Sequence, residues 1–528
     1  MPQRTGDWDD VPRRPRGGGS RVLAAWRRRS ALARAGYIAA TFAAVIAVVG
    51  GLAGSSVVRR FEGNITKVKV GGLTGRTVYG ALNILVLGSQ QRAGQQGYGK
   101  NGHFGVAPGS SPYTSNSDNL LVVHLDPTHT HATVLSIPRD LFVYEPGCQA
   151  RSSLIGIGIQ GPYAYPPGNI IDGALNIGGP TCAVATVEDL TGIPLDHFVE
   201  FDFNSFRAMV DAIGGVKVCV PRGGYHDSKS GLNLKAGVYL LKYNQALAYV
   251  RTRDALGGSD PGGDLPRIAL QQAFMSSVVQ SVSSQGLLSD LPKLLGVANT
   301  ATKALTVDQG LGSVSSLLRL AESLAHLRSK DVSMITLPST ADTFDYPTYA
   351  EHLMAVQPED DVLYQLIRTG QQWTGKLPTV PAGQVQVRVL NGTGQSGLAA
   401  RTRAKLRKLG FDVISIGDTS YTTTTAVDYG GLTQADGAYT LGTALTKFPA
   451  GQDTLTEPAS LIGKPGPVTL ILGADFAGVS RPAVQKTSGN GAAAPVVDAN
   501  SQAGANAPQP VQSRNGAASI CSGLPAGR

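Results

Sequence analysis

The sequence predicts an α/β protein: a layered α/β domain behind a single transmembrane helix, followed by a smaller α/β domain near the carboxyl end. Three observations carry that prediction. Apolar β-type runs alternate with helical segments from residue 82 onward. Tyr37–Val58 runs 22 residues without a charge, long enough to cross a bilayer. A strand, a glycine loop, a helix and a second strand recur between residues 384 and 418.

Taken in order, residues 1–36 read as a disordered basic cytoplasmic tail, 37–58 as the membrane helix and 59–80 as a stalk. The tail holds nine Arg against three Asp, so +6 of the net charge of +9 sits there. The rest of the chain carries only +3 and has no aromatic RNA-binding motif or zinc-finger spacing, which argues against nucleic acid as a partner. The tail reads instead as a topology signal, keeping the amino end inside and the main domains outside the cell membrane. A cleaved signal peptide fits less well, because the apolar run exceeds the usual 7–15 residues. Four cysteines, at 148, 182, 219 and 521, suit an oxidising compartment, and four allow three pairings.

The first folded domain spans 81–377. It opens on Leu82–Gly88, a buried strand, followed by a long polar, glycine-rich loop over 90–116. Leu120–Leu125 and Ala132–Ile137 flank a turn and read as a hairpin, too apolar to alternate and so buried on both faces in at least one strand. His124, His129 and His131 near that turn read as solvated turn residues rather than metal ligands. A helix follows at Thr181–Leu190, then a strand His197–Phe203, a helix capped by Asn204, and a strand Val216–Val220.

Charge collects at particular ends of these elements. Asp118 precedes the first hairpin strand, and Arg139 follows Pro138, which ends the second. Because the strands are antiparallel, both emerge on the same sheet edge, where a carboxylate and a guanidinium suit a metal and a phosphate. A second charged stretch lies at 246–279. Tyr249–Arg253 reads as extended, with Arg251 and Arg253 on one face. Asp264 precedes a helix opened by Pro266, and Arg267, Gln271, Phe274 and Val278 share one side of it. Several guanidiniums with fork geometry suit a pyrophosphate.

Together these stretches resemble the LytR–CpsA–Psr family of cell-wall glycopolymer transferases. The match rests on NILVLGSQQR (83–92), SDNLLVVHLDPTHTHATVLSIPRD (117–140), NIIDGALNIGG (169–179), FVEFDFNSFRAMVDAIGGVKV (198–218) and ALAYVRTRD with GGDLPRIALQQ (246–272). The resemblance implies an αβα sandwich that moves a phosphoglycopolymer from a polyprenyl-pyrophosphate carrier to a peptidoglycan hydroxyl. It also implies Mg²⁺ on Asp118 and Gln90, with pyrophosphate held by Arg139, Arg251, Arg253 and Arg267. Asp264 and Gln271 would complete the polar end, and apolar residues between sheet and helices would take the polyprenyl chain. The chain departs from the family pattern at Gln90, where Asp is usual, at Asn116–Ser117 and at Leu270. Those departures favour the alternative, a catalytically weak member that binds lipid-linked polymer or cell wall as a scaffold.

After a linker at 378–383, residues 384–476 form the second domain. Gly392, Gly394 and Gly397 spell GxGxxG after a strand, with Asp418 about twenty residues on, which matches a dinucleotide fingerprint on paper. The competing reading, a βαβ turn using glycines for packing, suits the domain's short length better. The stretch resembles the LytR carboxyl-terminal domain. Residues 477–528, rich in Ala, Gly, Pro, Ser, Asn and Gln, read as a disordered tail.

Overall fold

The structure, a computed structural model, describes residues 58–76, 80–89, 116–144, 168–253, 265–284, 291–325, 327–341, 353–447, 467–480, 511–522 and 524. Residues 37–58, expected to span a membrane, lie outside this set except for Val58. Among the described residues no helix is long and apolar enough to cross a bilayer. Residues 64–528 make one compact unit.

That unit is built on an eight-stranded sheet: β1 (Thr66–Val68), β2 (Leu82–Ser89), β3 (Ser117–Leu125), β4 (Ala132–Ile137), β5 (His197–Phe201), β6 (Leu305–Asp308), β7 (Val332–Thr336) and β8 (Ser513–Asn515). Their spatial order is β1-β6-β5-β2-β3-β4-β7-β8. The hairpin is confirmed, with β3 antiparallel to β4 and Leu120 opposite Ile137. β2 runs antiparallel to β3 and parallel to β5, and β4 runs parallel to β7.

Alternation along the central strands sorts their side chains into two cores. Leu85, Leu87, Leu120, Val122, Leu135 and Ile137 pack on one face with α1 (Ala174–Thr191) and with the helix Glu359–Arg368. Leu82, Ile84, Leu125, Ala132 and Val134 face the other way, toward Met275 and Val279 on the helix Leu265–Ser284. Every residue of β4 is buried, Thr133 and Ser136 included, consistent with a strand too apolar to alternate. The architecture is therefore a three-layer αβα sandwich. In chain order its remaining helices are α2 (Phe203–Ala212), α3 (Tyr243–Arg251), α4 (Leu265–Ser284), α5 (Leu291–Ala304), α6 (Val314–Ala325) and α7 (Glu359–Arg368).

Several expectations need correction. α1 starts at Ala174, seven residues early, bends at Gly179 and ends on left-handed Gly192. α2 is capped by Asp202, whose carboxylate accepts from Ser205 N, so β5 stops at Phe201. Tyr249–Arg251 is helical, not extended: α3 ends at Arg251, and only Thr252 and Arg253 leave the helix. His124 is no solvated turn residue. It is buried in β3, its Nδ1 lies 2.7 Å from Asn83 Oδ1, and burial lowers its pKa. The stalk is partly structural, since Thr66–Val68 pairs with β6.

The tail differs most. Ser513–Asn515 adds to β7 as an eighth strand, although the composition of 477–528 argues for disorder. Cys521 is bonded to Cys219, and buried Arg514 donates to the carbonyls of Ser519 and Ser522 and to Ser276 Oγ. Cys182 is disulfide-bonded as well.

The second domain has a four-stranded sheet, with Gln386–Asn391 parallel to both Asp412–Asp418 and Val468–Leu472. Helices α8 (Leu398–Lys408) and α9 (Ala435–Thr443) cover one core. It is not isolated from the first domain. Leu432, Ala435 and Tyr439 enter the same apolar cluster as α7, and Tyr429 Oη donates to Asp361 Oδ2 at 2.5 Å.

Candidate active site

β3 begins at Ser117 and β4 ends at Ile137, so Asp118 and Arg139 meet at one end of the hairpin, as the sequence implied. Arg139 Nη1 donates to Asp118 Oδ1 at 2.8 Å, and its Nε lies 3.3 Å from Asp140 Oδ1. Pro138 supplies the break: its carbonyl accepts from Leu141 N, and the turn that follows aims the guanidinium back across the sheet edge. Arg267, in the first turn of α4, reaches the same carboxylate at 3.8 Å and is buried. Arg251, the last residue of α3, stacks over the Phe203 ring at 4.8 Å.

These groups border a cavity of about 970 Å³, adjoining open solvent included. Asp118, Arg139, Arg251, Arg267 and Gln271 line it, and the remainder is mostly apolar, including Leu121, Phe206, Leu247, Phe274 and Met275. Gln271 donates its Nε2 to Val250 O at 3.0 Å, tying α4 to α3. Of the predicted helix face, Arg267, Gln271 and Phe274 line the cavity, while Val278 packs on the neighbouring core. Arg253 does not join that lining. Its backbone N–H donates to Asp227 Oδ2 at 2.7 Å, which follows from α3 ending before it. Gln90 and Asp264 lie outside the described residues.

Asp172 adjoins Arg139 beside the cavity and was not singled out from the sequence. It sits in the single turn Ile171–Gly173, accepts from Asn116 Nδ2 at 3.2 Å and is placed by its own N–H bonding to Arg139 O. Burial raises its pKa to about 6, opposed by Arg139 and reinforced by Asp140 and Asp118. Its Oδ1 is buried without a hydrogen-bond partner. The available signal was an acid inside the apolar NIIDGALNIGG segment, an uncommon place for a charge. Gln272, also missed, is buried against Thr336 Oγ1 at 3.0 Å on the cavity wall.

Chemically, guanidiniums lining a mostly apolar cavity make the class of site that suits an amphiphile, anionic at one end and hydrocarbon at the other. The comparisons with known proteins give that class a family. Residues 55–359, more than half of the chain, match the LytR_cpsA_psr family, and the chain belongs to it. Residues 384–476 match the LytR cell envelope-related transcriptional attenuator domain. The cell wall biosynthesis protein LcpA of Corynebacterium glutamicum is 28% identical over 372 residues, covering 65% of this chain and 68% of that protein. A polyisoprenyl-teichoic acid–peptidoglycan teichoic acid transferase, TagU of Bacillus cereus, is 28% identical over 233 residues, 43% of this chain and 62% of its own length. Among solved structures, the LytR-Csp2A-Psr enzyme of Actinomyces oris is 21% identical with a TM-score of 0.42, covering 58% of this chain and 97% of that one.

Proposed function

We propose that the protein is a membrane-anchored transferase. It would move a phosphoglycopolymer from a polyprenyl-pyrophosphate carrier to a peptidoglycan hydroxyl, outside the cell membrane. The observation that carries this reading is that Arg139, Arg251 and Arg267 line one mostly apolar cavity together. Related proteins named as cell wall biosynthesis proteins and teichoic acid transferases support it.

In this reading the arginines hold the pyrophosphate and spread its charge, while the cavity takes the hydrocarbon tail and excludes water. The acceptor hydroxyl oxygen forms a bond to the polymer-side phosphorus as that phosphorus loses its bond to prenyl phosphate, and the hydroxyl proton is released. Positioning and charge neutralisation do most of what phosphoryl transfer requires, and no covalent nucleophile is needed. Asp118 orients Arg139 and Arg267, and Gln271 holds α3 against α4.

The resemblance implies Mg²⁺. Among the described residues no group of three His, Cys, Asp or Glu is arranged to hold a metal. The donor chemistry nonetheless fits a hard cation: Asp118 supplies carboxylate oxygen, and Asp172 beside it has a buried Oδ1 without a partner. We propose Asp118 as a ligand, with Gln90 and Asp172 contributing oxygen; when bound, the ion would neutralise pyrophosphate charge.

The test is phosphate release from a polyprenyl pyrophosphate by the detergent-solubilised full chain, with Mg²⁺ and with chelator. Metal-dependent release that disappears in Asp118→Ala and Arg267→Ala supports the transferase. Lipid binding without release in any condition would favour the scaffold reading instead.

A further inference from the structure

A hairpin beside the cavity carries its apolar residues on the wrong side for a soluble surface. Val216–Val220 pairs antiparallel with Gly237–Leu241, Lys217 opposite Leu240 and Cys219 opposite Val238. Val216, Val218, Val220 and Leu241 point inward to a core shared with α3 and α4. The alternate positions take the other face, where Cys219 is covered through its disulfide to Cys521 and the neighbouring positions are open. There the chain places Val238 and Leu240, 60% and 50% exposed, with Lys242 next in the same register. Tyr243, 46% exposed, follows at the start of α3, and the Arg207 guanidinium lies 5.0 Å from its ring centroid.

The charges around this patch are mostly positive. Lys217, Lys235 and Lys242 are exposed, and the acid facing it is Asp211, which accepts from Tyr243 N at 3.1 Å. Apolar and aromatic side chains rimmed by lysines match an interface of hydrocarbon and anionic head groups better than they match water. The patch is also continuous with the cavity. Leu247, one turn beyond Tyr243 on α3, lines it, and so does Arg251 at the helix end. Eight residues at 1.5 Å each separate Tyr243 from Arg251, about 12 Å along the helix axis.

We propose that the outer face of this hairpin, Val238, Leu240 and Tyr243 with Lys217 and Lys242, rests on an anionic lipid surface. Its purpose rests on the lipid-donor reading above: docking there sets the apolar side of the cavity toward the bilayer and the arginines away from it, so that a lipid-linked donor enters tail side first.

Hydroxyl-radical footprinting of the full chain in nanodiscs tests this without turnover. Oxidation of Leu240 and Tyr243 is expected to fall about tenfold in nanodiscs containing phosphatidylglycerol, relative to phosphatidylcholine alone. Tyr421, 70% exposed in the second domain, serves as the unchanged control. The double variant Lys217→Glu/Lys242→Glu should restore oxidation while keeping the melting temperature. Patch oxidation that tracks Tyr421 in both lipids overturns the proposal. So does protection that appears without lipid and grows with protein concentration, which would assign the face to a second copy, or protection brought by soluble peptidoglycan fragments. A protected patch on a chain that releases no phosphate would sink the transferase and leave the docking surface standing.

Discussion

Two loops in this protein follow β-strands and look chemical on paper, and their surroundings differ. At the hairpin end, Asp118, Arg139 and Arg267 converge beside open apolar space. At GxGxxG in the second domain the loop is closed on itself. A Cβ on Gly392 would sit 2.6 Å from Thr422 Cγ2 and 3.1 Å from the carbonyls of Leu472 and Ser420. Asn391 bonds to Gln395 O and to Asp418 Oδ1, both at 3.2 Å, so the acid that would meet a ribose is used internally. Gly394 and Gly397 have φ of 73° and 72°, a conformation glycine adopts freely. The difference teaches that glycine spacing encodes turn geometry, whereas ligand chemistry needs charge beside unfilled space.

The comparison can be broken most sharply at Arg139. Arg139→Ala is expected to lower phosphate release by about 10²- to 10³-fold, the usual cost of one preorganised donor, with a cooperative melt retained. A melt lost together with activity would make the arginine structural and erase the contrast.

Gly392→Ala should do the reverse. Forcing a methyl group against backbone is expected to cost about 1–3 kcal/mol in chemical denaturation and leave phosphate release by the folded protein unchanged. A loss of catalysis at full stability would mean that the glycine loop belongs to the reaction after all.

The seam between the domains sharpens the point about charge. Asp118 is braced by two guanidiniums, but Glu359 is buried in α7 with neither carboxylate oxygen bonded to another described residue. Burial raises its pKa to about 8, and that of Asp361 to about 6 despite the Tyr429 hydrogen bond. The folded state therefore binds more protons than the unfolded chain above the ordinary carboxyl range. Stability contributed by these groups is complete below pH about 4.5 and is lost as pH rises toward 8. The melting temperature should fall across that window, and Glu359→Gln should flatten the fall. An unchanged slope in that variant would place the pH sensitivity elsewhere.

The smallest effect is expected at Asp418. Asp418→Asn removes at most one hydrogen-bonded carboxylate on the surface, about 0.5–1.5 kcal/mol by denaturant midpoint, with no change in phosphate release. An added nicotinamide dinucleotide should not shift the melting temperature of the unmutated chain. A shift that Asp418→Asn abolishes would revive the fingerprint.

By itself the sequence determined the hairpin, the meeting of Asp118 with Arg139, and the shared face of Arg267, Gln271 and Phe274. Each follows from short-range rules: strand alternation, the stop at Pro138, and the 3.6-residue helical period. Tertiary structure alone decided the rest. Arg253 lies off the cavity lining, two residues past the end of α3 at Arg251, with its backbone N–H bonded to Asp227 from a distant turn. Asp172 comes beside Arg139 because a turn some thirty residues along the chain bonds to Arg139 O. The strand Ser513–Asn515 forms because β7 has an open edge and Cys219 waits 302 residues away from Cys521, partners that no local window of a low-complexity tail can reveal. Local periodicity can place a charge at the end of an element, but whether that charge finds a cavity, a partner or solvent depends on contacts between residues far apart in sequence.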